Sequence, residues 1–147
     1  MNYQIREMTA ADYDAAMELW KNTEYLGLNE CDTPEGIALY LNRNPGLSFV
    51  AEAEGVVVGT VLGGHDGRRG MLRHLAVSLE HRRSGLGRNL IEHALAAMAD
   101  QGIEKCNIMV QSANARGLEF WEHMGWGRMN DAYYTMQKNT RLLRLTM

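Results

Sequence analysis

Apolar residues in the first third of the chain recur at two spacings, one typical of strands and one typical of helices. Residues from Tyr3 to Met8 alternate between apolar and polar, which predicts a short strand. Thr9 followed by Asp12 resembles a helix start, so a helix is predicted from there through Trp20. A second helix is predicted from Pro34 to about Arg43, because a capping residue and a first-turn proline precede its apolar positions.

The middle of the chain is rich in β-formers separated by glycine-containing turns. The runs from Leu47 to Ala53 and from Val56 to Leu62 predict two strands joined by a tight hairpin at Glu54-Gly55. The segment Gly63-Gly64-His65-Asp66-Gly67 predicts a second turn. Residues from Met71 to Ser78 then predict a further strand.

Helical spacing returns in the second half of the chain. Apolar residues recur every three or four positions from Leu86 to Met98, and Gly102 is placed to end that helix. A strand is predicted from Cys106 to Val110, and a short helix from Asn114 to His123. Two late strands are predicted, at Tyr133-Tyr134-Thr135-Met136 and at Leu142-Leu143.

The amino-acid composition limits the classes of protein to which this chain can belong. Its 147 residues, 46% hydrophobic and 22% charged, are typical of one globular domain spanning residues 1–147. The net charge of −3 gives no support for binding nucleic acid or anionic membranes. No apolar run approaches the ~20 residues that span a bilayer, and Cys31 and Cys106 lack disulfide or zinc spacing. We therefore expect a cytoplasmic protein without a bound metal.

A basic, glycine-containing turn precedes the predicted helix at Leu86. Its pattern is Arg82-x-x-Gly85-x-Gly87. Glycine has no Cβ, so the free amides of a helix's first turn can approach an anion closely, and arginines add charge. The pattern predicts a phosphate-binding loop. The alternative is an exposed turn whose glycines serve only the backbone; neither the Walker A nor the dinucleotide motif fits it.

Together with two further segments, this loop resembles the GNAT N-acetyltransferase superfamily. Leu75-Ala76-Val77 matches the strand that precedes the Q/R-x-x-G-x-G/A loop of these proteins. Asn114-Ala115 through Trp121-Glu122-His123-Met124-Gly125-Trp126 looks like their N-x-x-A…Y-E-K-x-G-F element. The segment at 63–67 is similar to the hairpin turn of the YpeA-type acetyltransferases within that superfamily.

The resemblance implies an α/β fold with a mixed, mostly antiparallel central sheet of about seven strands, splayed in the middle, and about four flanking helices. It also implies that acetyl-CoA is the co-substrate and that a primary amine receives the acetyl group. The pyrophosphate would meet the backbone amides of residues 83–88, and the pantetheine arm would run along residues 75–77. The cofactor-binding residues implied are Leu75, Ala76, Val77, Arg82, Arg83, Ser84, Gly85, Leu86, Gly87, Arg88 and Asn114.

The catalytic groups are not identified by the same motifs. An amine attacks a thioester only when it is neutral, so a base usually helps. The tyrosine that serves as acid in relatives aligns with Trp121, whose indole cannot donate a proton. The positions of the base in relatives align with Met71, Arg73 or Met109, and none of these is a plausible base.

Three candidate catalytic residues lie outside the positions that align with the acid and the base of relatives. His74 is next to one of them, but strand alternation predicts that its side chain points to the opposite face, which favours a structural role. His65 lies on a predicted turn, beside Asp66. Tyr134 lies on a predicted late strand, beside Tyr133. A water chain or the substrate's own group is the alternative, in which case the acceptor's own pKa would limit the rate.

The acceptor is expected to be a small-molecule or protein amine, and a homodimer is left open. Acidic residues between Trp20 and Tyr40 could attract a cationic amine, although Asp32 and Glu35 are also explained as helix-start residues. Two other functions compete with N-acetyl transfer. One is a catalytically silent acyl-CoA-binding module, and the other is a binding domain for a different phosphorylated ligand.

Overall fold

Strands and helices are interleaved along the chain. The computed structural model describes residues 2–129 and 134–140. No helix in this part of the chain has both the length and the apolar composition needed to cross a membrane. In chain order the elements are β1 (Gln4–Glu7), α1 (Tyr13–Lys21), α2 (Pro34–Arg43), β2 (Phe49–Ala53), β3 (Val56–His65), β4 (Arg69–Val77), α3 (Leu86–Asp100), β5 (Lys105–Asn107) and α4 (Ala115–His123), with 3₁₀ turns at Ala10–Asp12 and Leu79–His81.

The strands form one mixed sheet whose spatial order follows the chain. β1 to β4 are antiparallel neighbours, whereas β5 runs parallel to β4. The parallel pairing joins only Arg69–Met71 to Lys105–Asn107. Past these residues the two strands part, so the sheet is splayed on this side.

Each face of the sheet has its own core. α3 covers one face, and α1 and α2 cover the other. Fully burying a large aliphatic side chain stabilises a fold by ~1.5–3 kcal/mol, so these two cores hold the helices in place. On the α3 face the buried residues include Leu47, Val61, Leu72, Leu86, Leu90 and Met98; on the opposite face they include Trp20, Ile37, Val50, Leu62 and Ala76.

The expected number of about seven strands is wrong for the residues described, which form five. β5 ends at Asn107, because β4 turns away and leaves the apolar residues up to Val110 without a strand partner. Residues 134–136 are not a strand, and the side chains of Tyr134 and Met136 are almost fully exposed. Tyr133 and the predicted strand at Leu142-Leu143 lie outside the described residues.

Gly63 and Gly64 lie inside β3 rather than in the turn predicted for them. The turn between β3 and β4 consists of residues 66–68. A Cβ on Gly63 would lie 2.3 Å from the carbonyl oxygen of Leu47, and one on Gly64 would lie 2.5 Å from the hydroxyl oxygen of Tyr40. Close approach of neighbouring segments therefore explains both glycines, a cause that sequence alone does not separate from turn formation.

A β-bulge interrupts β4 near its middle. Thr60 pairs with Ala76 and Leu62 pairs with Arg73, so two β4 residues, His74 and its successor, oppose a single residue of β3. His74 has a φ of 51°, in the left-handed region that residues with a side chain rarely occupy. Simple alternation of side chains along β4 therefore fails at this point.

We expect Gly63→Ala to destabilise the fold by ~1–3 kcal/mol, because its methyl group would overlap the Leu47 carbonyl and force the backbone to move. The matched control is Gly127→Ala, since no atom lies within 4 Å of its added methyl. That control should change the free energy of unfolding by less than about 0.5 kcal/mol. Urea unfolding followed by circular dichroism measures both, and equal stabilities of the two variants would contradict the packing explanation.

Candidate functional site

Two adjoining cavities open where β4 and β5 part. The first, of about 500 Å³, lies over the start of α3 and is called the loop cavity. The second, of about 300 Å³, lies between residues 72–75 and residues 108–111 and is called the splay cavity. Leu75, Asn114 and Trp121 line both cavities, so the two form one groove.

The N-terminus of α3 faces the loop cavity. Gly85 precedes the helix with a φ of 82°, which a residue with a Cβ would adopt only under strain. The backbone amides of residues 86–88 have no acceptor within the described chain. A Cβ on Gly87 would lie 3.5 Å from Phe120 and 3.6 Å from Val77, on the cavity side of the helix. The free amides can donate hydrogen bonds to an anion, and no side chain at Gly87 blocks its approach.

The arginines of the loop do not all have the same role. Arg82 donates from Nε to the carbonyl oxygen of Val77 at 3.0 Å, and its Nη1 lies 3.4 Å from a carboxylate oxygen of Glu24. Arg82 therefore braces the loop against β4. Arg83 and Arg88 are exposed at the cavity and have no ion-pair partner in the described chain, so their charges are the ones available to an anion.

The groove brings together ten of the eleven residues that the sequence predicts to bind a cofactor. The exception is Ser84, which does not line the groove and whose hydroxyl instead donates to the His81 carbonyl within the turn. The residues that line the groove are Leu75, Ala76, Val77, Arg82, Arg83, Gly85, Leu86, Gly87, Arg88 and Asn114.

Several groove residues were not predicted from the sequence, among them two from α4. Arg116 and Phe120 line the loop cavity from α4. They are four residues apart, so they lie on one face of that helix, and this spacing is the signal that could have identified them. Arg116 has no ion-pair partner in the described chain and adds a third available cation to the cavity.

Asn114 and Trp121 hold α4 against the groove. The Asn114 side chain accepts a hydrogen bond at 2.9 Å from the Gly117 amide, which caps the helix. The Trp121 ring makes edge contacts with Trp126 and Phe120, with ring centroids 5.0 and 5.5 Å apart. Trp121 thus forms an apolar wall of the groove.

His74 lies on the face opposite to the one that alternation predicts. The bulge turns it towards α1 and α2, the same side as Arg73, where its Nε2 lies 2.7 Å from a carboxylate oxygen of Asp32. Asp32 is only 8% exposed, and its second oxygen accepts from the Asn29 amide at 3.0 Å. The Trp20 ring packs edge-to-face with the imidazole, with the two ring centroids 4.7 Å apart. His74 also lines the splay cavity.

The Asp32 carboxylate fixes the position of the imidazole and also determines which of its nitrogens carries the proton. In the neutral ring, a carboxylate at Nε2 places the proton on that nitrogen, so Nδ1 carries the lone pair. No hydrogen-bond partner of Nδ1 is present in the described chain. The pair therefore has the arrangement of a base oriented by an acid, at the wall of a cavity.

The other two candidates lie away from the groove. Both ring nitrogens of His65 are engaged, Nε2 with Gln101 at 2.8 Å and Nδ1 with the Gly67 amide at 2.9 Å. Tyr134 is 94% exposed and lines neither cavity of the groove. Neither side chain lines the groove between β4 and β5.

Comparison with protein families and curated proteins finds sequences similar to this chain. Residues 13–126 match the family model described as the acetyltransferase (GNAT) family. The acetyltransferase SG1711 of Sodalis glossinidius is 31% identical over 136 residues, which covers 92% of this chain and 94% of that protein.

Solved structures give the same fold. The PaiA N-acetyltransferase of Thermoplasma acidophilum, determined with coenzyme A, superposes with a TM-score of 0.79 at 19% identity and covers 89% of this chain and 93% of that one. The enzyme AAC(6')-Iy, determined with the bisubstrate analogue CoA-S-monomethyl-acetylneamine, superposes with a TM-score of 0.74 at 17% identity. That match covers 95% of this chain and all of the other.

The two loop glycines should respond oppositely to alanine. Gly85→Ala should destabilise the fold by ~1–2 kcal/mol, because its left-handed backbone disfavours a Cβ. Gly87→Ala lies inside α3 with no neighbour closer than 3.5 Å and should stabilise the fold by up to ~1 kcal/mol through helix propensity. Urea unfolding of both variants tests this, and destabilisation by Gly87→Ala would show that the loop has less room than described.

Proposed function

Because this chain belongs to the GNAT family of acetyltransferases, we propose that it moves an acetyl group from acetyl-CoA to the primary amine of a small molecule or protein. The observation that carries the proposal is the set of three free amides at the start of α3, next to a strand that has lost its neighbour. The relatives of known structure described above, determined with coenzyme A or a CoA conjugate, support the same ligand.

The groove matches the three parts of acetyl-CoA in order. The diphosphate fits the amides of residues 86–88, with Arg83, Arg88 and Arg116 as nearby cations. The pantetheine amides fit the open edge of β4, in the manner of a peptide added to a sheet. The Ser78 amide bonds back to Val58 of β3 and Arg82 occupies the outward Val77 carbonyl, so we assign this pairing to the backbone of Leu75. The thioester then reaches the splay cavity.

His74 is the group we assign to deprotonate the amine. Its Nδ1 takes one proton from the bound ammonium group, and the neutral amine then attacks the thioester, so that the N–C bond forms as the C–S bond breaks and the second proton is lost to solvent. Asp32 offsets the positive charge that the ring gains. The other charged groups that line the splay cavity are Glu24 and Arg73. We prefer this assignment to deprotonation by a water chain or by the substrate's own group, because the bulge places His74 at the wall of the splay cavity.

No acid is required for the other half of the reaction. Trp121 cannot protonate the leaving sulfur, but a CoA thiolate resembles a cysteine thiolate, whose conjugate acid has a pKa of ~8.5. A leaving group of that basicity departs without a proton. The apolar wall of Trp121 serves instead to exclude water from the thioester.

Calorimetric titration with acetyl-CoA tests the binding site. Gly87→Val should weaken binding by roughly tenfold or more, since its side chain fills the space before the amides. Arg88→Ala removes one exposed charge, worth about 0.3–1 kcal/mol, and should weaken binding less. The reverse order would contradict the amide-based site. Binding by the wild type without release of thiol to any amine would identify a silent acyl-CoA-binding module.

The pH dependence of kcat/KM tests the assigned base. With two amines of different pKa, the wild-type profile should rise to a plateau through an inflection at the same pH for both, because His74 and not the amine sets it. His74→Gln should remove that shared inflection, so that each profile follows its own amine. The control is His93→Gln on the exposed side of α3, which should retain the inflection. Acceptor-dependent profiles in the wild type would overturn the assignment.

A further inference from the structure

A third cavity, of about 390 Å³, lies beside the splay cavity on the α2 face of the sheet. We call it the side cavity and define it by Tyr40, Asp66, Arg69, Met71, Arg73 and Asn107. Arg73 lines both the side cavity and the splay cavity, so it stands at their junction. The proposed reaction leaves this cavity without a role.

The side cavity carries more positive than negative charge. Arg69 and Arg73 are exposed, and neither has an ion-pair partner within the part of the chain described. The carboxylate of Asp66 is occupied by its own turn, where Oδ1 accepts from the Arg68 and Arg69 amides at 2.8 and 2.9 Å. These hydrogen bonds hold the pKa of Asp66 below its usual value. Two guanidinium groups are therefore available to an anion.

Tyr40 adds a donor that the protein itself does not use. Its hydroxyl oxygen is fully buried and has no hydrogen-bond partner in the described chain. Burial raises the pKa of the phenol to about 12, with Arg73 acting in the opposite direction, so the hydroxyl stays protonated and can donate. A buried donor without an acceptor is unfavourable unless something else supplies one.

The bulge in β4 links the side cavity to the proposed base. It places the consecutive residues Arg73 and His74 on one face, the first at the junction of the two cavities and the second against Asp32. A molecule held at Arg73 by an anionic group can therefore extend to His74 through the splay cavity, which both residues line. A single guanidinium pairs with a carboxylate through two parallel hydrogen bonds, which also fixes the direction of the bound molecule.

We propose that the acceptor is a primary amine that also carries a carboxylate, such as an amino acid. The carboxylate pairs with Arg73, Arg69 adds charge, and the Tyr40 hydroxyl donates to it, while the amine end lies in the splay cavity at His74. This inference rests on the proposed N-acetyl transfer and specifies its acceptor class. It also gives the exposed arginine at position 73 a function in selection.

The test is a series of ω-amino acids of increasing length, each compared with its own primary amide. Each pair has nearly the same size and differs in the carboxylate charge. Thiol release from acetyl-CoA should give at least one acid whose kcat/KM exceeds that of its amide by tenfold or more. Amides that match their acids at every length would overturn the proposal, as would a phosphate-bearing amine preferred over every acid.

Two variants assign the effect to the side cavity. Arg73→Gln should raise KM for the preferred acid tenfold or more and bring it to the level of its amide. Tyr40→Phe should raise KM for that acid severalfold without lowering the melting temperature, because it removes a hydroxyl that no protein group satisfies. The matched control is Arg68→Gln, because Arg68 lies on the turn just before β4 and lines none of the three cavities. An unchanged acid-to-amide ratio in Arg73→Gln would overturn the proposal.

Failure of the reaction and failure of the acceptor site give different results. Calorimetry of the same acids and amides with the CoA-loaded protein measures acceptor binding without turnover. If no amine releases thiol but an acid still binds tenfold more tightly than its amide, the transferase proposal fails and the carboxylate site stands. If thiol is released and acids and amides bind equally, the carboxylate site fails and the transferase stands.

Discussion

Parallel pairing between β4 and β5 lasts for three residues, from Arg69 to Met71, and the groove is arranged around its ending. A strand edge that loses its neighbour presents amide and carbonyl groups that need partners. Here that edge runs directly into the loop whose first helical turn also has free amides. Unpaired backbone groups are therefore present at both ends of the groove, along the edge of β4 and at the start of α3.

The bulge at His74 is the second constraint, and the surrounding side chains maintain it. A left-handed conformation at a residue with a side chain costs on the order of 1–3 kcal/mol. The Thr60 hydroxyl donates to the His74 carbonyl at 2.9 Å and accepts from the Trp20 indole at 2.8 Å. The Asp32 carboxylate holds the imidazole from the other side. The backbone strain is thus offset by a buried network that spans α1, β3 and the segment before α2.

Much of this arrangement follows from local sequence, because its signals are local. The cap and proline before α2, the Glu54-Gly55 hairpin and the apolar spacing of α3 all identify their elements, and the structure confirms them. The loop at 82–88 was likewise identified from glycine and arginine spacing. These features depend on residues within one turn or one hairpin of each other.

The sequence-based predictions differ from the structure where contacts between distant segments determine the local conformation. Gly63 is a strand residue paired with Leu72, and the nearby Leu47 carbonyl leaves no room for a side chain there. His74 faces α1 because β4 has one residue more than β3 opposite it. The partner of His74 is 42 residues away in sequence. No periodicity within β4 contains that information, which is why alternation gave the wrong face. The sequence explains Asp32 as a helix-start residue. Its contact with His74 depends on tertiary structure.

The position of Asp32 has a consequence for how such a protein can change. It belongs to the segment between α1 and α2, residues 22–33, which also contributes Glu24, Tyr25, Leu26 and Gly27 to the wall of the splay cavity. The same stretch of chain therefore shapes the space for an incoming molecule and carries the carboxylate that orients the imidazole. Replacing this segment to admit a different molecule also removes the carboxylate beside His74, unless the new segment has an acid at position 32.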